Sequence, residues 1–68
     1  MIDAIRHYRA PGRLWATLAY DAAKCTVTAW RHGAPVTFHC DTVDGARARW
    51  HRLVADLTAA GFVPVVRN

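Results

Sequence analysis

An α+β fold is predicted for this chain: a three-stranded antiparallel meander with one α-helix packed on one face and a short C-terminal strand (β-β-β-α-β). Three observations predict it. Residues 13–40 alternate in character in three runs separated by turn residues, which is the period of strands that bury one face. Residues 43–60 instead carry apolar side chains at helical spacing. A single pairing register then sorts all three strands into one apolar face and one polar face, and a wrong register would not be expected to do so.

The chain has 68 residues, enough for one small domain with a modest stability margin that oligomerisation or a bound partner can supplement. Residues 1–12 are expected to form an N-terminal arm, in which Ile2, Ile5 and Tyr8 recur at three-residue spacing and Pro11-Gly12 ends the segment. That spacing fits one or two helical turns, or an irregular segment laid along the core.

The meander spans residues 13–40. Its strands are RLWATLAY from Arg13 to Tyr20, CTVTAWR from Cys25 to Arg31, and VTFHC from Val36 to Cys40. The turns are Asp21-Ala22-Ala23-Lys24 and His32-Gly33-Ala34-Pro35. Four-residue turns place Tyr20 opposite Cys25 and Arg31 opposite Val36. One face then holds Leu14, Ala16, Leu18, Tyr20, Cys25, Val27, Ala29, Val36, Phe38 and Cys40. The other holds Arg13, Trp15, Thr17, Thr26, Thr28, Trp30, Thr37 and His39, with Trp15 directly across from Trp30.

The helix is expected over residues 42–60. Asp41 or Thr42 can cap it, Asp44 suits its positive end, and Gly61 supplies a left-handed stop. The apolar stripe of Val43, Ala46, Trp50, Leu53, Val54 and Leu57 must cover the apolar sheet face. Residues 62–66 read as a terminal strand held at an edge by Pro64, which donates no ladder hydrogen bond.

Composition narrows the functional classes. The net charge is +4, arginine outnumbers lysine eight to one, and glutamate and serine are absent. Such a balance suits a polyanionic partner, since each neutralised phosphate releases counterions, although a solvated basic surface needs no partner at all. No apolar run reaches the roughly 20 residues that cross a bilayer, and the start of the chain lacks the apolar core of a secretory signal, so a cytoplasmic protein is expected. Cys25 and Cys40, without CxxC spacing, are read as reduced core residues, diagonal to one another in the expected register.

No metal, cofactor, catalytic group or small-molecule substrate is expected. His39 and Cys40 are strand neighbours that point to opposite faces, and a zinc ion needs three or four converging ligands. The five aspartates fall in turns, at the helix start and on the helix surface, where structural roles suffice, and no glycine-rich phosphate cradle appears.

Two surfaces stand out instead. On the open face, Arg13, Trp15, Trp30, Arg31 and His39 form a candidate platform on which bases or a partner's side chains stack. Cross-strand stabilisation of the two indoles, or their coverage by the arm, is the plainer alternative. On the helix, Arg47, Arg49 and Arg52, with His51, form a basic outer surface able to contact phosphate oxygens, or simply a solvated face.

The order of W-x-x-L at Trp15 to Leu18, V-T-A-W-R-H-G at Val27 to Gly33, and a helix with Ala46, Trp50 and Leu53 finishing at Gly61-Phe62 resembles a WGR domain over about residues 13 to 62. The resemblance implies nucleic-acid binding, with a contact role for Trp30 and Arg31. Here Arg31, not glycine, follows the tryptophan, and the glycine comes at Gly33. The expected function is therefore a small, basic, non-enzymatic binding domain that contacts nucleic acid through its Trp/Arg face. The alternative is a module that binds a protein partner, or a second copy of itself, through the same face.

Overall fold

The computed structural model describes residues 2–12, 14–31 and 34–65. The chain runs β1 (Ala4–Ala10), β2 (Leu14–Asp21), β3 (Thr26–Arg31), β4 (Val36–His39), α1 (Val43–Ala59) and β5 (Val63–Pro64). The strands form one antiparallel sheet in the order β4-β3-β2-β1-β5, and α1 lies across β2, β3 and β4 on one side of it. The α+β class expected from the alternation and the helical stripe is the one found, with two more strands in the sheet than the expected meander had.

The first difference is the arm. Residues 4–10 are a full strand paired along the whole of β2, from Ala4 opposite Tyr20 to Ala10 opposite Leu14. Tyr8 turns inward and is buried, while Ile5, His7 and Arg9 turn to the open face. The physical reason is the dipeptide Pro11-Gly12, where Gly12 adopts φ 83°, a left-handed value that glycine takes without a Cβ clash. Pro-Gly between two runs is a hairpin signal, so it returns the chain instead of ending it. Pairing also satisfies the backbone donors and acceptors of this segment, which a loose arm would leave to water.

The second difference is register. Thr17, not Trp15, lies opposite Trp30, and Thr28 lies opposite Thr37. The four-residue loop joining β2 to β3 is Ala22–Cys25, one position later than expected. Asp21 stays in the strand opposite Thr26, and its Oδ1 accepts the Lys24 amide at 3.2 Å. Cys25 closes the loop at φ 52°, its amide donating to the Ala22 carbonyl at 3.2 Å. Aspartate at the first position of a turn does this work commonly. The β2–β3 pairing thereby moves by two residues, and because side chains alternate with period two, the described strand residues that the expected register sorted keep their faces, whereas Arg31, expected with the open-face platform, lies on the helix side. The new register sets Cys25 beside Cys40, whose amide donates to the Cys25 carbonyl at 2.9 Å; both thiols are free.

The helix begins at Thr42, whose Oγ1 accepts the Gly45 amide at 3.0 Å, and ends in a Schellman turn. There Gly61, at φ 92°, donates to the Thr58 carbonyl, and the Phe62 amide donates to the Leu57 carbonyl at 2.9 Å. Phe62 and Leu57 then pack together in the core with Tyr8, Ala16 and Leu18. Ala29, Trp50, Leu53 and Val54 pack against that cluster, and Ala46 is fully buried. The expected stripe thus meets the sheet through all its members except Val43, which remains exposed at the outer end. Val36, at the far edge of the same sheet face, is 55% exposed, so one helix covers the middle of the sheet and leaves its margins open. The terminal strand differs from the expected one: Phe62 is a core residue of the helix stop, Val63 and Pro64 pair with β1, the Val65 amide donates to the His7 carbonyl at 2.8 Å, and Val66 lies outside the described residues.

Candidate functional site

The open face is built by alternation from four strands and a fragment. Across it, rows of side chains run perpendicular to the strands. Val63, Arg9 and Trp15 form one row; His7, Thr17 and Trp30 the next; Ile5, Ala19, Thr28 and Thr37 the third; and Asp21, Thr26 and His39 the last. Trp15 is 55% exposed and Trp30 37% exposed, and they sit diagonally, on neighbouring strands and in adjacent rows.

Arg9 places its guanidinium 5.4 Å from the centroid of the Trp15 ring. That contact holds the exposed indole in one orientation at a cost offset by about 0.5–1 kcal/mol of cation–π attraction. Behind it, His7 Nδ1 and Thr17 Oγ1 are 3.0 Å apart, and the Thr28 and Thr37 hydroxyls are 3.1 Å apart. These cross-strand bonds fix the polar floor between the rings. Ala19 is the small residue of the face and is only 5% exposed, so the sheet dips between Trp30 and the β2–β3 hairpin. A shallow recess of about 300 Å³ occupies that dip, lined among others by Trp30, Thr28, Thr37 and His39.

The hairpin end of the face is structural. Asp3 accepts the Ala22 amide at 2.7 Å through Oδ2, and the largely buried Asp21 accepts the Lys24 amide. Burial pushes the Asp21 carboxyl upward, but the Lys24 amide and nearby positive charges, that of Lys24 among them, outweigh it, and the group sits below its ordinary value. The cationic and aromatic character therefore lies at the opposite end, around Arg9, Trp15, His7 and Trp30.

The residues singled out in the sequence divide between two layers. Trp15, Trp30 and His39 share the open face as expected, although the two indoles are diagonal, not opposed. Arg31 does not join them. Its register partner is Ala16, it points to the helix side, and its guanidinium lies 5.3 Å from the Phe62 ring. Arg49 packs 4.7 Å from the Phe38 ring over β4, while Arg47 lines a recess with β1 residues on the other flank of the helix, so the helix arginines flank the opposite layer of the molecule. Arg52 shares a shallow recess with Arg49, Cys40, Gly45 and Ala48. Arg13 lies outside the described residues, as do His32 and Gly33 of the expected second turn. Missing from the sequence reading were His7 and Arg9, which join the face only because β1 is a strand; the Pro11-Gly12 hairpin signal was the clue to them.

Among the described residues, no group of three or more His, Cys, Asp or Glu side chains is placed to hold a metal ion, and no helix is long and apolar enough to cross a membrane. Comparison with known protein families, with curated proteins and with solved structures finds no match for this chain.

Proposed function

We propose that this protein is a small non-enzymatic binding domain whose open sheet face contacts single-stranded nucleic acid. The observation that carries the reading is Trp15, more than half exposed and braced by Arg9, with Trp30 diagonal to it on the next strand. An exposed indole held by an arginine offers a base a stacking surface and a phosphate a cation in one place, and base–aromatic stacking contributes about 1–3 kcal/mol per base. The net charge of +4 adds a favourable long-range term for a polyanion. The sequence likeness to WGR domains points toward the same class of partner. The contact set is narrower than the sequence suggests: Trp15, Trp30, Arg9, His7 and His39 belong to this face, and Arg31, Arg47, Arg49 and Arg52 do not.

The competing reading, a protein partner or a second copy of the chain on the same face, draws on Ile5 and Val63, which are exposed apolar residues beside the tryptophans. Titrating oligonucleotides against tryptophan fluorescence at two salt concentrations separates the two. Binding of a single strand that weakens steeply with salt and is lost in Trp15→Ala supports nucleic acid. No binding at low salt, with concentration-dependent sedimentation of the protein alone, rejects it in favour of self-association.

A further inference from the structure

On the opposite side of the sheet, a recess lies between the helix and the start of β1. Among the described residues, α1 crosses β2, β3 and β4, β5 pairs with β1 at Tyr8 and Arg9, and the Val65 amide donates to the His7 carbonyl at 2.8 Å; a cleft beside the helix borders the start of β1. This recess has a volume of about 240 Å³ and is lined by Ala4, Arg6, Tyr20, Arg47, Trp50 and His51. Its floor is the register pair Ala4 and Tyr20, where the small alanine leaves room. One wall is Arg6, projecting from β1 on the helix side. The other is Arg47 and His51, one helical turn apart and therefore on one face of α1. Trp50 closes the inner end, meeting Tyr20 edge to face at 6.3 Å between ring centroids.

The chemistry of this lining is one-sided. Arg6, Arg47 and His51 all line it, and among the described residues no carboxylate does. Among the described residues, none of Arg6, Arg47 and His51 is engaged by a side-chain hydrogen bond, ion pair or ring contact. Asp3, next in sequence to the cleft, faces the other side of the sheet, where it accepts the Ala22 amide. Like charges gathered in a recess with aromatic walls repel one another, and an anion seated between them reverses the sign of that interaction. Arginine forks match the oxygens of a phosphate, and His51 adds a further donor. The volume is below the roughly 300–1,000 Å³ of pockets that enclose a whole drug-sized ligand, so the recess suits a head group with the rest of its molecule outside.

We propose that this cleft binds the terminal phosphomonoester of a nucleotide, with the phosphate between Arg6, Arg47 and His51 and the attached nucleoside against the Trp50–Tyr20 wall. The nucleotide is either free or the 5′ end of a strand. The proposal does not rest on the open face as a nucleic-acid surface, since the two sites lie on opposite sides of the sheet.

Calorimetric titration with AMP, adenosine and inorganic phosphate, together with amide chemical-shift mapping, tests it. AMP should bind with one-to-one stoichiometry, inorganic phosphate should compete, and adenosine should bind at least about tenfold more weakly, since hydrogen bonds to charged groups contribute about 1.5–3 kcal/mol. Shifts should centre on residues 4–6 and 47–51. Arg6→Gln and Arg47→Gln, both exposed positions whose melting temperatures should stay unchanged, should each weaken AMP about tenfold or more. A 5′-phosphorylated oligothymidylate that binds more tightly than AMP, and than its 5′-hydroxyl counterpart in a Trp15→Ala background, assigns the strand end; preference for AMP assigns the free nucleotide. Equal binding of AMP and adenosine, indifference to both arginine substitutions, or shifts confined to the open face would overturn the proposal whatever the open face binds.

Discussion

The two faces of this sheet come from the same strands, residue by residue, and differ in what holds them in place. On the helix side, Ala16, Leu18 and Val27 are buried under α1, and their packing sets the fold. On the open side, Trp15 meets Arg9 and Thr28 meets Thr37, both across the sheet, and Trp15 and Trp30 stay at the surface. Burial explains the first composition fully. The tryptophans and threonines of the second are strand-favouring residues left at the surface, where cross-strand contacts and not burial stabilise them. The contrast teaches that packing under the helix fixes one face, whereas the other is held by contacts within the sheet such as Arg9 on Trp15 and Thr28 on Thr37.

Substitution on either side should expose this asymmetry, and the largest effect belongs to the covered face. Leu18 is 1% exposed, and Leu18→Ala should cost about 2–5 kcal/mol, comparable to the whole stability of about 3–5 kcal/mol expected of so short a chain. Urea denaturation should find the variant largely unfolded in buffer. A cost below about 1 kcal/mol would mean that the helix does not seal this face.

Trp15→Ala should do the reverse. Its stability cost should stay near about 1 kcal/mol or less, the size of the cation–π contact with Arg9, while affinity for a single-stranded oligonucleotide falls by about 1–3 kcal/mol. Equal losses of stability and affinity would erase the distinction between the faces.

The helix ends come next in size. Removing the hydroxyl that accepts the Gly45 amide, with Thr42→Ala, should cost about 1 kcal/mol. Gly61→Ala should cost a similar amount, about 1 kcal/mol, because φ 92° is unfavourable for any residue with a Cβ, even though open space surrounds that position. Both variants should lower the melting temperature and leave oligonucleotide binding intact, since neither position touches the open face. A binding loss in either would couple the two faces.

How much of this was legible in the sequence follows from which signals are local. The faces of the described strand residues of β2, β3 and β4, Arg31 apart, were readable because parity survives a two-residue slip. Thr42 and Gly61 mark the helix ends through chemistry that acts within a turn. The register was not readable, because Asp21 serves equally well as the last strand residue or the first turn residue; only its bond to the Lys24 amide decides. Strand β1 was hidden by Arg6, His7 and Arg9, whose polar side chains blur the alternation of Ala4, Tyr8 and Ala10. The grouping of Arg6 with Arg47 and His51 depends on where the helix crosses the sheet, a tertiary fact with no local signature.

The smallest predicted effect tests the one place where the open face is structural. Asp21 points to that face by register yet is only 8% exposed. Burial alone would raise its carboxyl, but the Lys24 amide and nearby positive charges hold it below the ordinary carboxylate value in the folded chain. A depressed folded value means that the ionised form favours folding. Its contribution is complete above the unfolded value and disappears as pH falls through the lower folded value. Asp21→Asn keeps an oxygen for the Lys24 amide and removes the charge, so the stability difference between the parent and this variant should be constant between about pH 5 and 7 and should shift against the parent below about pH 4. Urea denaturation across that range reads the difference directly. A difference that stays constant down to about pH 2.5 would show that the hairpin uses Asp21 only as a neutral acceptor, and the open face would then owe nothing to its charge.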